Sequence, residues 1–290
     1  MVFGLNLPNY SSLGNHVSMI AIAEKAEELG YSSLWTNDHI LIPADLPEPF
    51  GNLLETFTTL SYLAARTETI RLGTGILVLP QRDPLLVAKQ AATVHHLSGG
   101  RLVLGLGVGW IAQEYSFLRT DFGSRGQLAD EYIAAIRVLF ESDRPAYHGD
   151  HINFSDALFS PRPRTPIPIV VGGSSKPALR RAARLGDGWY GLRLSPDEAG
   201  RAIEEMNRIG HRPNFTLSLR LQIRVGGAVD GADPATTLHG DPDAVVGQLQ
   251  KYSDIGIEQV VIEPFANDLA DFIEQMRLFA HEIAPALLRR

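Results

Sequence analysis

The Asp38-His39 pair is the part of the sequence whose residue types are best suited to moving protons. Histidine has the side chain whose unperturbed pKa lies nearest neutrality, and it is the usual proton shuttle in enzymes. The pair follows an apolar run that ends at Thr36, so it falls where a predicted strand gives way to a loop. An Asp-His dipeptide also occurs as an ordinary loop segment or helix cap, and the residues alone leave both roles open.

A second segment, Gly172-Gly173-Ser174-Ser175, lies between an apolar run and a helix opened by Pro177. Backbone N–H groups and serine hydroxyls at a helix N-terminus can surround an anion, so the segment indicates a phosphate-binding turn. A flexible strand-to-helix turn uses the same residue types. Basic residues follow in the predicted helix and favour an anionic ligand in an otherwise acidic chain: Lys176, Arg180, Arg181 and Arg184.

Glycines alternate at Gly105, Gly107 and Gly109, and the segment continues into Trp110. Without Cβ atoms, such a strand would let a planar ring lie against its backbone. A barrel interior that needs small residues produces the same pattern. The spacing is not the dinucleotide-binding G-x-G-x-x-G motif, because position 110 is tryptophan.

Several other chemistries are excluded or disfavoured by the sequence. The chain has no cysteine, so disulfides, thiolate metal sites and cysteine nucleophiles are absent. It also lacks a Walker A sequence, an H-E-x-x-H motif and a G-x-S-x-G motif. We interpret the pairs His148/His151 and His95/His96 as structural, and we expect no metal site.

The elements that must position these residues alternate between strands and helices almost from end to end. Apolar, β-branched runs bounded by turn formers predict eight strands, at residues 2–7, 32–36, 70–78, 101–106, 167–171, 188–192, 216–225 and 258–263. Helical periodicity predicts eight helices, at 16–29, 54–66, 84–97, 127–140, 177–185, 196–209, 242–255 and 269–288.

This alternation predicts an α/β protein with the (β/α)8 TIM-barrel fold, in a single domain over residues 1–290. A doubly wound sheet would more often carry a phosphate fingerprint in its first turn, and this chain does not. Two longer intervals, 40–53 and 142–165, are predicted insertions, the second with a small β-hairpin around Gly149-Asp150. In such barrels the active site lies at the carboxyl ends of the strands, where Asp38-His39 and the other segments fall.

Composition and charge restrict the partners. The 290 residues carry a formal net charge of −7 and no basic tract, so nucleic acid is not an expected partner. No apolar run approaches the roughly 18 residues of a membrane span. The first residues resemble no signal peptide, and we expect a cytoplasmic protein acting on a small molecule.

In their order along the chain, these segments resemble the bacterial luciferase-like superfamily of flavin and deazaflavin oxidoreductases, and more closely its branch dependent on coenzyme F420. The matching segments are Phe3-Gly4-Leu5-Asn6-Leu7-Pro8, Leu34-Trp35-Thr36-Asn37-Asp38-His39, Leu72-Gly73-Thr74-Gly75-Ile76, His96-Leu97-Ser98-Gly99-Gly100-Arg101, Gly107-Val108-Gly109-Trp110, Arg125-Gly126, Val171-Gly172-Gly173-Ser174 and Gly186-Asp187-Gly188-Trp189.

The resemblance implies a barrel with the tricyclic ring on its rim and the cofactor phosphate at the Gly172-to-Ser175 turn. It also implies a bulged third strand with a non-prolyl cis peptide behind the ring, which we place at Gly75-Ile76. In the F420 branch an Asp-His pair contacts the deazaflavin, which implies catalytic roles for Asp38 and His39, with the histidine exchanging a proton.

Further cofactor contacts follow from the same resemblance. Gln113 and Glu114 come after the glycine-rich strand, where polar contacts to the cofactor are common. The expected cofactor-binding residues are Asp38, Gly75, Ile76, Gly107, Val108, Gly109, Gln113, Gly172, Gly173, Ser174 and Ser175. Related proteins are commonly dimeric, so a homodimer or larger homo-oligomer is expected.

Three functions compete at this point. The first is an F420-dependent oxidoreductase that moves a hydride between the deazaflavin and a small organic substrate. The second is an FMN-dependent monooxygenase supplied by a separate reductase, and it would use the same rim. The third is a cofactor-free lyase or isomerase whose Gly172-to-Ser175 turn holds a substrate phosphate. Against it, the predicted strand ends offer no obvious lysine that could form a Schiff base.

Overall fold

Eight parallel strands close into a barrel in the computed structural model, which describes residues 1–46, 51–227, 229 and 236–288. Numbered with the shorter strands in chain order, the barrel strands are β1 (Val2–Asn6), β2 (Ser33–Thr36), β3 (Arg71–Thr74), β5 (Leu102–Gly107), β8 (Ile169–Gly172), β9 (Gly188–Leu192), β10 (Thr216–Val225) and β12 (Gln259–Pro264). Each pairs with the next, and β12 returns to β1. The predicted (β/α)8 fold is confirmed.

Helices surround the barrel where the sequence predicts them. They are α1 (His16–Glu28), α2 (Thr56–Ala64), α3 (Pro84–Leu97), α4 (Ala112–Phe117), α5 (Arg125–Glu141), α6 (Lys176–Leu185), α7 (Pro196–Ile209), α8 (Pro242–Asp254), α9 (Leu269–Leu278) and α10 (Ala284–Leu288). The last predicted helix is interrupted by a π-helical segment, Phe279–Ile283. Sequence periodicity missed the short helix α4 and the short strand β11 (Thr237–Gly240), which pairs with β10.

The third barrel strand is broken in the middle. After β3, a non-prolyl cis peptide joins Gly75 to Ile76, and the chain then forms β4 (Leu77–Val78). Both β3 and β4 pair with β5, so the two pieces lie along one neighbour with a bulge between them. The bulge and the cis peptide that the resemblance implies are therefore confirmed.

Glycines in the neighbouring strands make room for this bulge. A Cβ on Gly105 would lie 1.9 Å from the carbonyl oxygen of Thr74, and a Cβ on Gly107 would lie 2.3 Å from Cδ1 of Ile76. Thr74 also exchanges hydrogen bonds with the backbone of Gly105, at 2.6 and 2.8 Å. Gly107 thus packs directly against the Ile76 side chain, so the glycine has the packing role that the sequence leaves open beside cofactor contact.

The predicted insertions differ in what they form. The second contains an antiparallel hairpin, β6 (Tyr147–His148) with β7 (Asn153–Phe154), as predicted. In the first, residues 47–50 lie outside the described residues. Its end returns to the loop after β1, where Leu54 and Asn9 exchange hydrogen bonds of 2.8 and 2.9 Å.

Arg101, at the end of the His96-to-Arg101 segment, has a structural role. Its guanidinium donates to the carbonyl oxygens of Ala64, Thr67, Ile70 and Ser98, at 2.7 to 3.0 Å. These bonds join the ends of α2 and α3 beside the start of β5. Within the part of the chain that the structure describes, every helix is too short or too polar to cross a bilayer.

A glycine-to-alanine comparison tests whether the bulge needs this close approach. We expect Gly105→Ala to lower the free energy of unfolding by about 3 kcal/mol or more, because its Cβ meets a backbone oxygen that cannot rotate away. Gly200→Ala is the control, since nothing lies within 4 Å of a Cβ there in α7, and it should stabilise by about 0.5–1 kcal/mol. Urea unfolding measures both, and a Gly105→Ala variant as stable as the wild type would contradict the packing argument.

Candidate active site

A cavity of about 480 Å³ opens at the carboxyl ends of the barrel strands. Loops after several strands line it, so residues distant in sequence meet here. The lining residues are Tyr10, Asn37, Asp38, His39, Gly75, Ile76, Val78, Gly109, Trp110, Leu192, Arg193, Arg220 and Glu263. Five of the predicted site residues are therefore brought together in one cavity, from three separate segments.

His39 is held by a buried carboxylate. Its Nδ1 lies 3.0 Å from Oε2 of Glu114, and the two side chains are only 10% and 1% exposed. The other oxygen of Glu114 accepts the backbone N–H groups of Ile40 and Leu41. Burial raises the pKa of Glu114, but the hydrogen bonds from His39 and from the Ile40 N–H outweigh burial and lower it overall. An ionised Glu114 can therefore accept a hydrogen bond from Nδ1 of His39 and fix the orientation of the ring.

Asp38 belongs to the cavity lining, but its carboxylate is buried and both of its oxygens are occupied. The Arg82 guanidinium binds both carboxylate oxygens, at 2.7 and 2.8 Å, and Val78 N–H donates to Oδ2 at 2.8 Å. Burial raises the pKa of the Asp38 carboxyl, and Arg82 acts against that shift. Its side chain has no exposed surface. This geometry does not support the predicted catalytic role for Asp38, because its oxygens instead tie the loop after β2 to the bulged third strand.

Opposite this wall, two arginines share one glutamate. Arg193 donates to Oε1 of Glu263 at 2.8 Å, and Arg220 donates to Oε2 at 3.0 Å. Burial alone would raise the pKa of Glu263, but the two guanidinium groups lower it to about 2. Tyr10 donates to the same carboxylate at 3.3 Å, and burial together with the Glu263 charge raises the pKa of Tyr10 to about 12.

The Gly75-Ile76 peptide forms a flat stretch of the cavity wall. A Cβ on Gly75 would lie 2.9 Å from the Tyr190 hydroxyl and 3.1 Å from Cβ of Trp35, so only glycine fits. The Trp35 and Tyr190 rings pack behind the peptide with their centroids 4.9 Å apart. The wall is therefore rigidly supported and open to a planar group on its cavity side.

The Gly172-to-Ser175 turn lies next to this wall and is exposed at Gly173, Ser174 and Ser175. A Cβ on Gly172 would lie 2.8 Å from Cγ2 of Ile76, so the turn and the wall are in direct contact. Gly173 has φ +113°, and its carbonyl accepts the Trp189 indole N–H at 2.8 Å. Ser175 caps α6, with its hydroxyl accepting the Ala178 N–H. A turn of two glycines and two serines at the start of a ten-residue helix fits a phosphate group.

The basic residues of α6 separate into two roles. Arg181 is buried and pairs with Asp130 while donating to the Gly126 carbonyl at 2.8 Å, so it holds α6 against α5. Lys176, Arg180 and Arg184 are exposed and line a surface cavity of about 970 Å³. Of the four basic residues that the sequence singles out, these three are the ones available to an anionic ligand.

Seven of the predicted cofactor contacts lie outside the cavity lining: Gly107, Val108, Gln113 and the four residues of the Gly172-to-Ser175 turn. Gln113 is exposed on α4, whereas its neighbour Glu114 is buried and reaches His39. The carbonyl of Val108 accepts a hydrogen bond of 2.6 Å from the Tyr115 hydroxyl, which fixes the loop after β5. Across the described ranges, no three neighbouring His, Asp or Glu side chains are placed to hold a metal ion together.

Sequence reasoning missed the charged residues at the far side of the cavity. A signal was present in β10, where Ser218, Arg220 and Gln222 alternate with leucine and isoleucine in a strand of a parallel barrel. Buried parallel strands are usually apolar on both faces, so polar residues at every second position indicate side chains that point into the barrel. The other missed residues lie at loop positions that no periodicity marks: Tyr10, Arg82 and Arg193.

Comparison with known proteins agrees with this geometry. Residues 6–226 match the family model described as luciferase-like monooxygenase. The chain belongs to this family. An uncharacterised protein of Mycobacterium tuberculosis is 33% identical over 279 residues, which cover 91% of this chain and 93% of that protein.

Two proteins that are similar to this chain are named for F420. The F420-dependent glucose-6-phosphate dehydrogenase of Amycolatopsis mediterranei is 26% identical over 318 aligned positions, covering 93% of this chain and 94% of that enzyme. A solved F420-dependent secondary alcohol dehydrogenase, in complex with an F420-acetone adduct, superposes with a TM-score of 0.84 at 18% identity. The match covers 99% of this chain and 98% of that one, and it shows a shared fold.

The shared carboxylate gives a prediction about acid stability. We expect Glu263→Gln to lower the free energy of unfolding by about 3 kcal/mol at neutral pH, because two guanidinium groups lose their buried partner. The pKa of Glu263 is lowered from 4.5 to about 2 in the folded state. Its contribution is therefore complete above pH 4.5 and is lost as the pH falls toward 2. The difference between wild type and variant should shrink over that range.

Urea unfolding at a series of acidic pH values measures this difference. Glu274→Gln serves as the control, because Glu274 is 51% exposed and pairs with Arg277 on the surface, where ion pairs contribute about 0–1 kcal/mol. A Glu263→Gln effect that stays constant from neutral pH to the acid limit would show that the carboxylate charge is not what stabilises the cluster.

Proposed function

We propose that the protein is an F420-dependent oxidoreductase that transfers a hydride between the deazaflavin and a small organic substrate. The observation that carries the proposal is the His39–Glu114 pair, a proton-exchanging group in the same cavity as the flat Gly75-Ile76 wall. The F420-dependent relative of Amycolatopsis mediterranei supports it over nearly the whole chain.

The residues present fit this cofactor. The Gly75-Ile76 wall would hold the ring, and the Gly172-to-Ser175 turn beside it would hold the phosphate. F420 also carries an anionic oligoglutamate tail, which would extend over the exposed cations Lys176, Arg180 and Arg184. When bound, F420 supplies a carrier that accepts or donates two electrons as a hydride.

In this proposal His39 is the catalytic acid or base. When a hydride leaves the carbon of an alcohol, the hydroxyl proton must also leave, and His39 Nε2 accepts it. In the opposite direction the same nitrogen donates a proton to the carbonyl oxygen. Glu114 keeps the Nδ1 proton in place and stabilises the imidazolium that forms, since its own pKa is lowered. It acts on the reaction through His39.

Asp38 and Arg82 are positioning residues in this account. Their ion pair and the Val78 N–H bond connect the loop that carries His39 to the strand that follows the Gly75-Ile76 wall. The distance between His39 and the Gly75-Ile76 wall therefore depends on Asp38 and Arg82. Of the predicted Asp38-His39 pair, we therefore propose that only His39 contacts the reacting atoms.

An FMN-dependent monooxygenase is the second candidate, because the matching family model is described as a luciferase-like monooxygenase. FMN would use the same wall and the same turn. It ends at its phosphate, however, and would leave the cations of α6 without a ligand. Replacing the α6 cations should therefore change the affinity for F420 but not the affinity for FMN, which distinguishes the two proposals.

The exposed cations of α6 give the first prediction of this proposal. We expect the combined change of Lys176, Arg180 and Arg184 to glutamine to weaken F420 binding and to flatten its dependence on salt. The effect should be graded, since each exposed ion pair contributes about 0–1 kcal/mol. FMN affinity should stay nearly unaltered. Absorbance titrations of the purified protein with each cofactor, at several salt concentrations, measure these affinities.

A charge-matched control separates local contacts from net charge. Lys25, Arg66 and Arg277 also form exposed ion pairs, but on α1, after α2 and on α9. Changing these three to glutamine alters the net charge equally and should leave F420 affinity nearly unchanged. Tight FMN binding by the wild type, with F420 bound no better than a generic anion, would replace the F420 proposal with the monooxygenase.

A second prediction concerns His39. We expect His39→Ala to lower turnover by roughly 10²- to 10⁴-fold, because a general acid or base is lost, while F420 affinity changes little. Turnover is followed by the deazaflavin absorbance with a panel that includes glucose 6-phosphate and secondary alcohols. Added imidazole should restore part of the rate. A variant that keeps its rate but loses F420 affinity would make His39 a cofactor contact only.

A further inference from the structure

We infer that Arg193 forms an anion subsite in the active-site cavity, and that the substrate carries a carboxylate or phosphate group bound there. The assignment of this group to a substrate depends on the proposed function, because it needs a cofactor ring on the Gly75-Ile76 wall. The existence of the subsite depends only on the residues that face the cavity.

The charges at the Glu263 cluster do not balance. Glu263 is the one carboxylate that both Arg193 and Arg220 contact. Arg220 is 9% exposed, and it also donates to the Asn37 side chain, so its guanidinium is enclosed by protein groups. Arg193 is 40% exposed and uses Nη2 for its bond to Glu263. The surplus positive charge is therefore presented to the cavity by Arg193.

The other charged groups of the cavity do not cancel this surplus. Asp38 is neutralised by Arg82, with both of its oxygens occupied. Glu114 is committed to His39 and to the backbone N–H groups of the following loop. Among the residues that the structure describes, no acceptor lies within hydrogen-bond distance of the buried Nε of Arg193. An anionic group in the cavity would meet the exposed part of the Arg193 side chain and supply the missing negative charge.

The backbone at Arg193 indicates that the position of this side chain matters. Arg193 has φ +47°, in the left-handed region that favours glycine, directly after β9. Its N–H donates to the carbonyl of Arg220 at 2.8 Å, which fixes the turn. A non-glycine residue held in this conformation is strained, and such residues concentrate at functional sites. The turn directs the guanidinium across the cavity mouth toward Glu263.

The side chains around Arg193 indicate the chemical character of the substrate beyond its anionic group. Leu192 and Trp110 line the same cavity and are 52% and 59% exposed. These two apolar side chains suit a hydrocarbon or aromatic body beside the charged group. The substrate class that fits is a small organic acid or phosphate ester with an apolar body. Its reacting carbon would reach the cofactor ring on the Gly75-Ile76 wall, near His39.

Binding of matched small molecules tests the subsite without turnover. Benzoate and phenyl phosphate carry the two anionic groups on one apolar body, and benzamide is a neutral isostere of benzoate. Calorimetric titrations of the F420-loaded protein should show that benzoate or phenyl phosphate binds and that benzamide binds much more weakly. The stronger of the two anions identifies the anionic group. If neither anion binds the wild type better than benzamide, the inference is overturned.

Variants then locate the binding. Arg193→Gln should weaken anion binding by about tenfold or more, because a charge-assisted hydrogen bond is lost, and should leave benzamide unaffected. Arg212→Gln is the matched control: Arg212 is 44% exposed and also pairs with one carboxylate, Asp187, but it lies before β10 at the opposite mouth of the barrel. An equal loss in both variants would mean a nonspecific charge effect and would overturn the subsite.

The same titrations without cofactor keep this inference separate from the proposed function. If F420 fails to bind but the anions still bind through Arg193, the proposed function is wrong and the subsite stands. If Arg193→Gln weakens F420 and leaves anion binding unchanged, Arg193 is a cofactor contact and the subsite is overturned. Circular dichroism of each variant confirms that the fold is intact before binding is compared.

Discussion

The break in the third barrel strand is the constraint on which the site depends. Between β3 and β4 the chain turns its Gly75-Ile76 peptide toward the cavity, and the adjoining strands must give it space. Gly105 admits the Thr74 carbonyl, while Gly107 and Gly172 enclose the Ile76 side chain. A side chain at any of these positions would push the bulge out of place. The flat wall therefore exists because two strands, β5 and β8, carry glycine where they pack against the bulge.

Buried ion pairs attach the chemical groups to this wall. Asp38 binds Arg82 and the Val78 N–H, so the end of β2 is fixed to the piece of strand that follows the bulge. Glu114 approaches from α4 and orients His39 on the same loop. Opposite the wall, Glu263 holds two arginines and leaves one positive charge to the cavity. Each of these three carboxylates has a partner that sets its position, and the unbalanced charge of Arg193 faces the cavity.

Much of the fold could be predicted from the sequence, because strand and helix periodicities differ and helix-starting prolines mark boundaries. The Asp38-His39 pair and the Gly172-to-Ser175 turn could be found because they directly follow apolar strands. Gln113 is exposed on α4 while the next residue, Glu114, is buried, and the sequence of so short a helix does not reveal which of the two points inward. The cluster at Glu263 depends on contacts between β9, β10 and β12, which no local pattern reports.

A crystal structure of the protein grown with F420 would show whether the Gly75-Ile76 wall and the Gly172-to-Ser175 turn form one continuous site for a deazaflavin. We expect the ring against that peptide, within reach of His39, with the phosphate at the turn and the tail over α6. Electron density for the ring elsewhere in the barrel, or for the phosphate away from the turn, would contradict it.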